Sequence, residues 1–145
     1  FWMMRCFYRH ESMDNPPPLD QYTQSRVLRT QYQTLGFLID CHPLSLLKLD
    51  RRGMCLIKNL YLHCGKKVKF YGWSVTSRTV STRSGDAMQF VTFEDETGIA
   101  ETVLFPKIYH RFVRYLNYQE AFCVEGRVAE EWGAVVVEVS QIKPL

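Results

Sequence analysis

The sequence lacks any apolar run approaching the roughly 20 residues that span a bilayer, and its opening FWMMRCFYRH has no long apolar stretch of the signal-peptide kind. A soluble chain without a membrane partner is expected. Metal-binding and disulfide spacings are also missing. The five cysteines, Cys6, Cys41, Cys55, Cys64 and Cys123, are odd in number and contain no C-x-x-C pair, which excludes a dense secreted disulfide scaffold and points to a reduced, cytoplasmic setting. His63 and Cys64 are adjacent, a poor match to the ligand spacing zinc prefers, so no metal site is assigned. A strong charge of one sign is absent: 18 Lys and Arg stand against 15 Asp and Glu, a net charge of +3. That surplus is too small to identify a polyanionic partner, so the distribution of charge must decide. No catalytic constellation appears either. Glu94, Asp95 and Glu96 are consecutive and run into Thr97-Gly98, whereas two-metal chemistry draws carboxylates from separate elements, and no companion base or nucleophile stands out. Finally, the first residue is Phe and not Met, with Trp2, Phe7 and Tyr8 close behind, which suggests a piece of something longer.

The residues present are enough for one core. With 145 residues, 46% of them hydrophobic, one compact domain with a smaller helical arm is expected. Residues 1–18 end in Pro16-Pro17-Pro18 and read as an extended connector or the remnant of an upstream domain. Residues 19–64 form the arm. Asp20 suits an N-cap, and Leu28, Tyr32, Leu35 and Ile39 recur at helical spacing, predicting one amphipathic helix up to Asp40 that Pro43 stops. Residues 44–64 read as short helical turns packed beside the C-terminal domain. His42 reads as a structural histidine at the helix stop.

From Lys66 the pattern changes to short strands separated by turn residues. Strands are predicted over 67–80, 87–94 and 99–105, with turns at Ser84-Gly85-Asp86 and Glu96-Thr97-Gly98. Pro106 opens a helix with Ile108, Tyr109, Phe112, Val113 and Leu116 on one side and Lys107, His110, Arg111 and Arg114 on the other. Strands return at 120–128 and 134–142. Three strands, a helix and two strands within residues 65–145 match the mainly β, five-stranded Greek-key barrel of the oligonucleotide-binding (OB) fold, with its one helix between strands 3 and 4.

Period two along the first strand places Lys67, Lys69, Tyr71 and Trp73 on one face and Val68, Phe70 and Gly72 on the other. Lysines neutralise phosphates and flat rings accept stacked bases, so this face suits a nucleic acid. A bulge at Gly72 would instead turn Tyr71 and Trp73 into the core. Residues 66–83 carry Lys66, Lys67, Lys69, Arg78 and Arg83 with no acid, a basic tract suited to a backbone clamp. The barrel as a whole is neutral, so a solvated hairpin tip is the alternative, but segregated charge still focuses a local field, which favours the clamp. Lys107 and Trp132 complete the candidate nucleic-acid-binding residues. Trp132 sits in Ala129-Glu130-Glu131-Trp132-Gly133, between the last two strands, where it either stacks on a base or covers the barrel end.

LGFLIDCHPL at 35–44, GWSVTSRTVSTRSGDAMQFVTFEDETGIAETVLFPKIYHRF at 72–112 and EGRV at 125–128 together resemble the bacterial DNA polymerase III alpha subunit over roughly Pro16 to Leu145. The resemblance implies a barrel that contacts the single-stranded template, next to other polymerase domains or holoenzyme subunits. The family's metal-binding carboxylates and phosphoesterase-like domain have no counterpart in these residues. No cofactor is implied for this chain, magnesium being expected only for the parent polymerase, and the chain alone is not expected to polymerise. The family's clamp-binding motif is not recognisable in residues 1–34. Two other functions fit the same fold: an anticodon-type barrel binding RNA in an aminoacyl-tRNA synthetase, and a subunit-docking module without DNA affinity.

Overall fold

The computed structural model describes residues 19–118, 120–131 and 133–145; the connector predicted for residues 1–18 and the side chain of Trp132 lie outside them. Helix α1 spans Gln24–Leu35, with Thr23 as N-cap and Gly36 as C-cap. It is shorter at both ends than the predicted Asp20-to-Asp40 helix. Residues 19–23 are not helical, and Gly36 adopts φ 78° with its N–H bonded to the Tyr32 carbonyl, so the left-handed glycine ends the helix although the apolar spacing continues to Ile39. Two 3-10 segments follow, Pro43–Leu46 and Ile57–His63. His42 caps the first by accepting the Leu44 N–H on Nδ1 at 3.1 Å. Leu44, Ile57 and Leu60 are buried, which fastens these segments to the domain behind them.

That domain consists of β1 (Lys67–Ser81), β2 (Ala87–Asp95), β3 (Gly98–Leu104), helix α2 (Pro106–Leu116), β4 (Ala121–Glu131) and β5 (Ala134–Pro144). The strands close into a barrel in the order β1-β2-β3-β5-β4. Every neighbouring pair is antiparallel except β3 with β5, which run parallel. The elements follow from alternation: Val68 and Phe70 on β1, Val91 and Phe93 on β2, and Phe122 and Val124 on β4 all point inward and are buried. Phe93 makes edge-to-face contacts with Phe70 and Phe122 at centroid distances of 6.3 and 5.8 Å, and each buried ring contributes about 1.5–3 kcal/mol by leaving water. Phe112 of α2 closes one end of this core.

Two glycines permit the tight wall. A Cβ on Gly72 would lie 2.7 Å from the Phe93 Cβ, and one on Gly126 would lie 2.5 Å from the Glu138 carbonyl oxygen. Gly126 belongs to the EGRV segment, and its bare backbone lets β4 and β5 approach. Asp95 is the buried carboxylate of the β2–β3 turn. It accepts the Thr97 and Gly98 N–H groups and, from the arm, the Ile57 N–H at 2.9 Å. Its part is therefore structural, joining the 3-10 helix to the barrel. No helix among the described residues is long and apolar enough to cross a membrane.

Candidate nucleic-acid interface

Strand β1 pairs with two neighbours along its length. Lys67 to Trp73 pair with β4, whereas Trp73 to Ser81 pair with β2, and the register shifts between Ser74 and Thr76. Val75 is the extra residue, so the outward positions are odd-numbered up to Trp73 and even-numbered from Thr76. The bulge is thus at Val75 and not at Gly72. Lys67, Lys69, Tyr71 and Trp73 all lie outside the barrel wall while Val68, Phe70 and Gly72 are buried, and neither ring belongs to the core.

Beyond the bulge, Thr76, Ser77 and Arg78 of β1, Phe90 and Thr92 of β2 and Glu101 of β3 line an open groove of about 310 Å³ on the outer sheet face. Arg78 is opposite Phe90 and Thr76 opposite Thr92. The Arg78 guanidinium carbon sits 5.7 Å from the Phe90 ring centroid, within reach of a cation–π contact. A cation above a half-exposed ring, flanked by hydroxyls, can take a phosphate and a base side by side. Arg83 stands exposed at the tip of the adjoining β1–β2 hairpin. The Gly85 N–H bonds the Thr82 carbonyl at 2.9 Å, and the Asp86 N–H bonds the Thr82 hydroxyl at 3.1 Å. Phe90 was not singled out from the sequence. The signal was there in QFVTFED: Phe90 and Phe93 are three apart, so period two sends them to opposite faces.

The structure does not bring the remaining candidates to this groove. Lys69 pairs with Glu125 at 2.6 Å, and that hydrogen bond holds its ammonium above the usual lysine range. The Tyr71 hydroxyl donates to the Asp50 carbonyl at 2.9 Å. Trp73 meets Tyr32 of α1 edge-on, with centroids 6.2 Å apart at 81°. Tyr32 in turn donates to Glu120 at 2.8 Å, a bond that raises its phenol pKa, with burial adding to the shift. Both predicted stacking rings therefore contact the arm. The basic tract that is continuous in sequence is divided in space, Lys67 and Lys69 facing with β4 and Arg78 and Arg83 with β2. Lys107 is exposed on α2, which packs against β2, β3 and β5. Among the described residues no three His, Cys, Asp or Glu side chains converge as metal ligands. Glu94 instead lies 3.4 Å from His42 Nε2, and Glu96 pairs with Arg51.

Comparison with known proteins agrees with the barrel fold. The tRNA anti-codon family model, described as an OB-fold nucleic acid binding domain, matches residues 68–145. The chain is 28% identical over 136 residues to the error-prone DNA polymerase of Rhodopirellula baltica, covering 90% of this chain and 11% of that protein. It is 29% identical over 136 residues to the DNA polymerase III subunit alpha of Halalkalibacterium halodurans, covering 86% and 12% respectively. The chain thus spans about a ninth of the length of these curated relatives. Among solved structures, asparaginyl-tRNA synthetase from Pyrococcus horikoshii is similar with a TM-score of 0.53 and 23% identity, over 63% of this chain and 23% of that one; this likeness establishes the fold alone.

Proposed function

The chain belongs to the OB-fold nucleic acid binding family, and on that premise we propose that its barrel holds single-stranded DNA across the outer face of β1, β2 and β3. The observation that carries the reading is Arg78 over Phe90 in a hydroxyl-lined groove beside the basic hairpin. Arg78 and Arg83 take phosphates, Phe90 stacks on a base, and Thr76 and Thr92 offer hydroxyls to the backbone. None of these contacts requires a particular base, so the binding is tolerant of sequence. The similarity to polymerases across most of this chain supports a role as a non-catalytic, template-holding part of a larger bacterial DNA polymerase of the III alpha or error-prone kind. The other polymerase domains are its partners, the cytoplasm is its setting, and magnesium is required only by the parent enzyme.

Fluorescence anisotropy with a labelled single-stranded oligonucleotide tests this. Phe90→Ala is expected to cost about 1–3 kcal/mol of binding with an unchanged salt slope, and Arg78→Ala or Arg83→Ala to reduce the slope by about 0.7 each. Tighter binding to RNA than to DNA of the same sequence would favour an anticodon-type role. Full affinity in the Phe90→Ala, Arg78→Ala and Arg83→Ala variants would remove the site.

A further inference from the structure

We infer that the barrel carries a second, separate DNA-contacting face on β1, β4 and β5, built for the phosphate backbone of a duplex. The register places Lys67 opposite Arg127 and Arg127 opposite Glu138. Lys69 faces Glu125, which faces Gln141, and Tyr71 faces Cys123, which faces Lys143. Four cations and two carboxylates share these outward rows. Glu125 is occupied by Lys69, whereas Lys67 and Lys143 are exposed and have no ion-pair partner among the described residues. Arg127 is exposed too, its Nε–H resting on the Gly65 carbonyl at 3.1 Å. Beside them an open groove of about 580 Å³ is lined by His63, Lys67, Lys69, Gly126 and Ser140. It shares no lining residue with the groove around Phe90.

The chemistry of the two faces differs. Tyr71 is the aromatic residue on these rows, and its ring is half-buried with its hydroxyl bound to Asp50. Strand rows offering point charges and no free Phe, Tyr or Trp ring give an unpaired base little to stack on, but they suit a duplex, which shows phosphates on its outside and hides its bases. The inference is independent of the single-strand reading, because no residue is common to the two.

The test uses the whole chain, titrated by anisotropy with a blunt duplex and, separately, with a single-stranded oligonucleotide. Three phosphate contacts predict that duplex affinity falls roughly 40-fold between 50 and 200 mM salt. The Lys67→Ala/Arg127→Ala/Lys143→Ala variant should show almost none of that dependence, with single-strand affinity unchanged. Phe90→Ala should do the reverse, weakening only the single strand. Because Arg127 also holds Gly65, the Lys67→Gln/Lys143→Gln variant, which removes no observed hydrogen bond, provides a second measurement, in which the fall between 50 and 200 mM salt should shrink from roughly 40-fold to roughly 3-fold. Duplex binding unaltered in both cation variants, absent altogether, or lost in parallel with single-strand binding would overturn the inference. Salt-sensitive duplex binding without single-strand binding would uphold it and refute the single-strand reading instead.

Discussion

Trp73→Ala separates a base platform from a seat for the arm. The indole is partly buried on the outside of the barrel, lies edge-on to Tyr32, and lines a cleft with Leu47, Leu116, Tyr118 and Leu145. Burial of about two-thirds of a tryptophan removes roughly 160 Å² from water, near 4 kcal/mol at about 25 cal/mol per Å². The edge-to-face pair adds about 0.5–1.5 kcal/mol. A loss of about 5 kcal/mol is therefore expected, a fall of about 15 °C in Tm for a chain of this size. Thermal melting of Trp73→Ala, Tyr32→Ala and the double variant should give a coupling of about 1 kcal/mol between the rings, and the folded variant should bind single-stranded DNA as the parent does. An unchanged melt combined with a loss of about 1–3 kcal/mol in DNA affinity would show that the ring stacks on bases and that the arm contact is incidental.

Two further outcomes test the packing. Gly126→Ala drives a Cβ to within 2.6 Å of Val137 Cγ1 and closer still to the Glu138 carbonyl, so chemical denaturation should show a loss of at least about 1–3 kcal/mol. Gly98→Ala, whose Cβ would meet Ile57 at an ordinary 3.6 Å, should stay within about 0.5 kcal/mol; equal stability of the two would contradict the close approach. The Tyr32 phenol is raised in the fold by its bond to Glu120. Its contribution is accordingly present in full below the ordinary tyrosine value near 10 and is lost as pH climbs through the higher folded value. Melting temperature should fall more steeply above about pH 10 in the parent than in Tyr32→Phe, and parallel curves would show that the bond contributes nothing.

The barrel was legible because its strands alternate apolar and polar residues and its turns carry Gly, Asp and Ser. The predicted strand at 87–94 is observed at Ala87–Asp95, and the one at 99–105 at Gly98–Leu104. Pro106 opens the helix as expected, because its missing N–H is no loss at the first helical position. The arm was harder. Ile39 extends the spacing of Leu28, Tyr32 and Leu35, and periodicity alone cannot reveal that Gly36 takes a left-handed conformation first. The interface was the least legible part. A bulge leaves no signature in SVTSR, so strict alternation carried past Val75 assigns the wrong face to Arg78. The partners of Tyr71 and Trp73 come from the arm, more than 20 residues away in sequence. Linear charge clustering then joined Lys67 to Arg83 although the strand between them changes partner from β4 to β2.

The single added residue at Val75 also sets what kinds of sequence change β1 can absorb. Substitutions at the outward positions alter chemistry one side chain at a time. Deleting Val75 would instead invert the inside and the outside of everything after it, turning Arg78 and Val80 toward the core and Ser77 and Thr79 toward the groove. An insertion at the same point would have the same effect. The strand is therefore open to point substitution and closed to changes in length. The groove-lining half can diversify freely only while the count of residues between Trp73 and Arg78 stays fixed.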